Sequence, residues 1–141
     1  MKTKSLVMLC VGVLLAFCFT SCNNSNEPNN IDQASTLIIG SWLLDKAASY
    51  EEFEGNRTSY TEKQLDSKTL DFKSNGSVDR EEVSGGNHVP VTLTYSISGN
   101  ILNLGGTNWT ILKIDQQNLV IETSKDIMGH PTINHEVYKR Q

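Results

Sequence analysis

The clearest pattern in the chain is strict alternation. Val91, Leu93, Tyr95 and Ile97 alternate with Thr92, Thr94, Ser96 and Ser98, the period of a strand with one face buried and one face wet. Gly99-Asn100 is a two-residue turn of the hairpin kind, and Ile101 to Leu104 returns from it. After Gly105-Gly106 come Trp109 to Asp115 and Leu119 to Thr123, turned about Gln116-Gln117-Asn118. Upstream, Thr69 to Lys73 and Ser77 to Val83 flank Ser74-Asn75-Gly76, while Leu37 to Lys46 and Ile133 to Lys139 form the two ends. These are eight strands joined mostly by short turns, with no helical stripe in the body; only Tyr50 to Leu65 is compatible with a short helix. The pattern predicts an all-β domain, an eight-stranded up-and-down antiparallel β-barrel, because closing the meander removes its exposed edges.

The N-terminal part follows a different pattern. Lys2 and Lys4 precede fourteen uncharged, mostly apolar residues, Leu6 to Phe19. A membrane-spanning helix needs about 20, so residues 1–21 read as a secretory signal peptide. Phe19-Thr20-Ser21-Cys22 resembles the signal of bacterial lipoproteins, in which small residues precede the cysteine that is lipidated; it departs at Phe19, where Leu is usual. Cys18 follows bulky Phe17, and Cys10 lies inside the apolar run. The resemblance implies that Cys22 is acylated, that two or three acyl chains anchor the protein stably, and that its location is the bacterial outer membrane. Cys10 and Cys18 leave with the signal, so no thiol remains for a disulfide or a metal. Residues 22–36, the lipidated cysteine with an Asn-rich polar stretch, read as a flexible tether, and residues 37–141 as the barrel domain.

Charge narrows the partners. Of the 12 Lys and Arg residues, Lys2 and Lys4 leave with the signal, so the remaining 10 face 16 Asp and Glu, a net charge of −6. With no basic cluster, a nucleic-acid partner is not expected. His88, His130 and His135 match no metal-ligand spacing, and Asp79, Glu81 and Glu82 read as a charged hairpin arm. There is no nucleophile elbow and no phosphate-cradling glycine loop. Neither catalytic residues nor metal ligands nor a cofactor are expected, and an enzyme is the poorest of the functional classes.

A second resemblance concerns the barrel. Gly40-Ser41-Trp42 on the first strand is the Gly-x-Trp signature of lipocalins. Tyr95-x-Ile97-x-Gly99-Asn100-x-Leu102-x-Leu104, Trp109-x-Ile111, Leu119-x-Ile121 and the terminal Tyr138-Lys139-Arg140 resemble the lipocalin-like domain of bacterial lipoproteins over Leu37 to Arg140. The resemblance implies that Gly40 and Trp42 mark the barrel base, and that Arg140 or Lys139 packs over Trp42 and closes it. The body is shorter than a secreted animal lipocalin and lacks its disulfide and C-terminal helix.

Two functions follow. One is a membrane-anchored module that binds a small apolar or amphipathic molecule. The other is a filled barrel acting as a structural or protein-interaction module of the outer membrane. Eight strands enclose just enough room for either. If Trp42 is at the base, the link leaving the first strand, about Ala47 to Asp66, lies at the mouth. Its length suggests a lid or binding loop. Tyr50, Phe53 and Tyr60 on it are expected to cover the opening, with Tyr95 and Trp109 on the inner wall; the alternative is that they plug a small core.

Overall fold

The alternating runs become strands of a single sheet. The computed structural model describes residues 31–62, 66–127 and 129–141, excluding the side chains at 53, 59–62 and 127; Cys22 lies outside the described residues. The strands are β1 (Gly40–Phe53), β2 (Asn56–Glu62), β3 (Ser67–Phe72), β4 (Ser77–Ser84), β5 (Asn87–Ser98), β6 (Ile101–Leu104), β7 (Thr107–Ile114), β8 (Asn118–Ile127) and β9 (His130–Arg140). Their order is β2-β1-β3-β4-β5-β6-β7-β8-β9, every pair antiparallel, and β9 returns to β1. Both β2 and β3 lie on one flank of β1, β2 against residues 48–53 and β3 against residues 40–43. They are two segments of one interrupted strand, so nine strands close as an eight-stranded up-and-down barrel.

The Ala47 to Asp66 stretch therefore differs from the expected loop. β1 runs on to Phe53, and Glu54-Gly55 turns it into β2. Both turn residues have positive φ, 50° and 78°, the backbone twist that suits a two-residue hairpin. Thr58, Tyr60 and Thr61 are good strand formers, but the acidic run Glu51-Glu52 and Glu54 hides the alternation. The hairpin is fastened to the outer wall. Arg57 donates to both carboxylate oxygens of Glu122 on β8 at 3.1 and 3.2 Å.

Two bulges tune which side chains point inward. On β1 the register with β9 slips between Leu44 and Lys46, and on β7 the register with β8 slips between Ile111 and Lys113. An extra residue in one strand resets the alternation. Hence Ile111 and Ile114, three apart, are both buried, while Leu112 between them is 38% exposed.

The base end is a dry core. Trp42, Leu70, Phe72, Val78, Leu102, Ile111, Ile114, Leu119, Ile121 and Tyr138 are buried there, each large apolar side chain contributing about 1.5–3 kcal/mol relative to exposure. Its floor comes from the junction of the expected tether (22–36) and the expected first strand, which begins at Leu37. A 3-10 turn (Ile31–Gln33) leads into a helical turn, α1 (Ala34–Leu37), and Ala34 and Ile38 are 1% and 0% exposed. Ala34 comes from the stretch expected to be tether, and Ile38 from the expected start of the first strand; both turn in against the core, so β1 begins only at Gly40.

Arg140 seals this floor. Its guanidinium lies over the Trp42 ring, donates to the carbonyls of Ile39 (2.9 Å) and Gln116 (2.8 Å), and bonds the Leu37 carbonyl as well. The Trp42 indole donates to the Ile38 carbonyl at 2.7 Å. Gly40 sits at φ 120°, and a Cβ there would come within 2.7 Å of Arg140 Nη1. Glycine is needed at this position both for its backbone angle and for the approach of the arginine. The neighbouring Lys139 instead points out, donating to Asn118.

Candidate functional site

Above the apolar base, the inward positions turn polar. On β3, Lys68 shares the face of Leu70 and Phe72; on β4, Arg80 and Glu82 share that of Val78; on β9, Glu136 shares that of Tyr138. Together with Thr107, Trp109, Thr123, Ser124, Lys125 and Asn134 they line a cavity of about 340 Å³, at the small end of ligand pockets. The wall is notched beside it. The β6–β7 hairpin turns at Gly105-Gly106, so β8 beyond Glu122 pairs with β9 but not with β7.

Lys68 and Glu136 form the floor of this cavity. They are 6% and 5% exposed, and the Lys68 ammonium lies 2.9 Å from both oxygens of Glu136. The Tyr138 hydroxyl donates to the same carboxylate at 2.5 Å. Three charge-assisted bonds thus satisfy one buried anion, the condition for a buried charge to be tolerated. Burial, then the neighbouring Glu136 charge, pushes the Tyr138 phenol well above its ordinary value of 10.0. It stays a neutral donor. The Lys68 ammonium also lies 5.9 Å from the ring centres of both Trp109 and Tyr138, within cation–π range.

Arg80 is less well satisfied. Its nearest acid is Glu82, 3.8 Å from Nε, beyond hydrogen-bond distance. Among the described residues, Arg80 Nε is buried with no hydrogen-bond partner.

The residues expected to bind ligand are dispersed by the fold. Trp109 lines the cavity. Tyr95 faces inward but belongs to the base: its ring meets Phe72 edge-on at 4.9 Å, and its hydroxyl donates to the Lys73 carbonyl at 2.8 Å. Burial raises its phenol pKa. Tyr50 does not cover the mouth. It pairs in register with Ile133 and meets His135 edge-on at 6.5 Å, and both of those residues alternate with the inward Asn134 and Glu136, so Tyr50 is on the outer wall. Ile133 is 4% exposed yet stands apart from the core cluster. The physical reason is the β1 bulge together with the hairpin, which aim Tyr50 outward. The side chains of Phe53 and Tyr60 lie outside the described residues.

The histidines stand apart, each against a glutamate: His88 with Glu81 (2.8 Å), His130 with Glu51 (2.9 Å) and His135 with Glu122 (3.3 Å). Asp79 and Glu81 face outward, as a charged hairpin arm should; Glu82 turns into the cavity. Sequence reasoning does not single out Lys68, Arg80 or Glu136, and it reads Glu82 as part of a solvated arm, whereas the fold turns all four into the cavity. The available signal is parity: Lys68, Arg80 and Glu136 lie two residues from buried Leu70, Val78 and Tyr138, and Glu82 lies four from Val78.

No family model matches the chain, and no curated protein matches it. Among solved structures it is similar to a siderocalin, Ex-FABP, described as functioning through dual ligand specificities, at 13% identity over 74% of this chain and 70% of that one, with a TM-score of 0.45. It is also similar to lobster apocrustacyanin A1, at 10% identity over 81% of this chain and 70% of that one, with a TM-score of 0.44. A third is apocrustacyanin C2, at 10% identity, 81% and 70% coverage, and a TM-score of 0.43. The eight-stranded barrel stands on its own strand pairing, β1 to β9 included.

Proposed function

We propose that this chain is a lipoprotein anchored to the bacterial outer membrane through acylated Cys22, whose lipocalin-like barrel binds one small amphipathic molecule. The cavity of about 340 Å³ over a packed base is the observation that carries the reading. Of the two expected ligand kinds, apolar and amphipathic, its lining favours the amphipathic. Trp109 offers an aromatic wall, and the charged floor rewards a polar group. A purely apolar ligand would strip water from Lys68, Arg80, Glu82 and Glu136 without replacing it. The anchor fits this geometry. Residues 23–30 between Cys22 and the basal turn span at most about 29 Å when fully extended, so an acylated Cys22 would hold the base end within about that distance of the bilayer.

Titration with small naphthalene probes, neutral and charged, tests the binding reading. Saturable one-to-one binding that quenches Trp109 fluorescence is expected, and Thr123→Trp, which fills the cavity, should abolish it. If no probe of either charge binds, the cavity is no ligand site and the filled structural or interaction module is the better reading.

A further inference from the structure

We infer that Arg80 is the receptor for an oxyanion, a carboxylate or a phosphate, on the ligand of this cavity; the inference rests on the cavity being the binding site. The charged groups of the lining divide into two kinds. Lys68 and Glu136 are mutually satisfied, the carboxylate taking two bonds from Lys68 and one from Tyr138. A ligand gains little by competing with them. Arg80 is incompletely satisfied: its side chain is 31% exposed, but its Nε is buried and partnerless among the described residues, with the Glu82 carboxylate 3.8 Å away. A guanidinium has five donors in a planar fork that matches an oxyanion edge-on.

The charge of the lining points the same way. Lys68, Arg80 and Lys125 stand against Glu82 and Glu136, leaving one positive charge in excess, so a single negative charge on the ligand makes the cavity neutral. Trp109 lines the same cavity and supplies a flat surface for a ring or short apolar body. The ligand class is thus a compact anion with an aromatic or apolar portion. A neutral acceptor could pair with Arg80 but would leave the excess positive charge uncompensated, and a cationic amphiphile would add to it.

The test compares 2-naphthoate, 2-naphthyl phosphate and the neutral 2-naphthamide by calorimetry on the intact barrel. Naphthoate or the phosphate should bind tighter than the amide by roughly tenfold or more, the scale of a charge-assisted hydrogen bond. Whichever of the two wins identifies the head group. Arg80→Gln should erase that preference, bringing the anions to the affinity of the amide. Should Arg80→Gln fail to fold, Glu82→Gln reads the same idea in reverse: freeing Arg80 from its neighbouring carboxylate should tighten anion binding severalfold. Equal affinity for acid and amide, or anion binding untouched by both variants, overturns the role of Arg80 while leaving the cavity a binding site. Absence of binding by all three probes overturns both.

Discussion

The guanidinium carbon of Arg140 lies 4.1 Å from the centre of the Trp42 ring, with Trp42 fully buried beneath it. This contact joins the first and last strands of the barrel and fastens α1 under the core. Trp42→Ala should cost about 3–5 kcal/mol, typical of truncating a large buried aromatic. Arg140→Lys keeps the charge but loses the fork that reaches three carbonyls, and should cost roughly 1–3 kcal/mol. Urea unfolding measures both. A loss for Trp42→Ala below about 1 kcal/mol would show that the base does not hold the barrel closed.

The Lys68–Glu136 pair should behave as a unit. Removing one partner strands a buried charge, so Lys68→Met or Glu136→Leu alone should each cost about 3–5 kcal/mol, whereas the double variant should recover most of that loss. A double-mutant cycle by chemical denaturation reads the coupling. Additive losses would mean the two charges are solvated independently.

Acid should weaken the barrel partly through Asp115 at the β7–β8 turn. Partial burial opposes its ionisation, but bonds from the Gln117 amide, the Asn118 side chain and amide, and Lys113 outweigh it and hold the carboxyl down at about 2, against an ordinary 3.8. Because the folded value is the lower one, this stabilisation is fully present above 3.8 and declines as pH falls from there towards about 2. Asp115→Asn should therefore flatten the stability curve across that window, lowering stability near neutrality, where the carboxylate contributes fully, and changing it little at about pH 2. Thermal unfolding between these pH values decides; an unchanged acid limb in the variant would remove Asp115 as a contributor.

Cys22→Ala should abolish incorporation of a clickable palmitate analogue and leave the protein uncleaved or released from the membrane fraction. Continued labelling of the variant would place the acyl group on another residue.

The barrel was legible because its strands are short, alternating and separated by glycine turns. The run from Val91 to Leu104 shows this, since one residue type recurs on each face. The long first hairpin was not legible, because Glu51, Glu52 and Glu54 break the hydrophobic rhythm where the strand leaves the core and meets solvent on more than one side. The basal turn was hidden for the opposite reason. Ala34 alone does not stand out of a polar run, and Leu37-Ile38-Ile39 reads as the start of a strand, so a helical turn beneath Trp42 has no local signal. Trp109 was recognisable as an inner-wall residue from its alternation with Ile111. The charged half of the cavity was not, because Lys, Arg and Glu on a strand ordinarily signal its wet face. What reversed that rule is pairing across the barrel, between residues 68 apart in sequence such as Lys68 and Glu136, which no local pattern can display.

Closure between β1 and β9 also sets the order in which the molecule can form. Arg140 reaches back to the Leu37 carbonyl across 103 residues, while every other neighbouring pair along the wall from β3 onward is a local hairpin. Local hairpins form on the scale of microseconds, whereas contacts so distant in sequence carry the loop-closure entropy of nearly the whole chain and place folding in the slow, millisecond-to-second range. Until the last strand arrives, the long edge of β1 and the edge of β9 are both unpaired. That interval is when one copy is most able to pair with another, so the slowest step of folding is also the step at which aggregation competes.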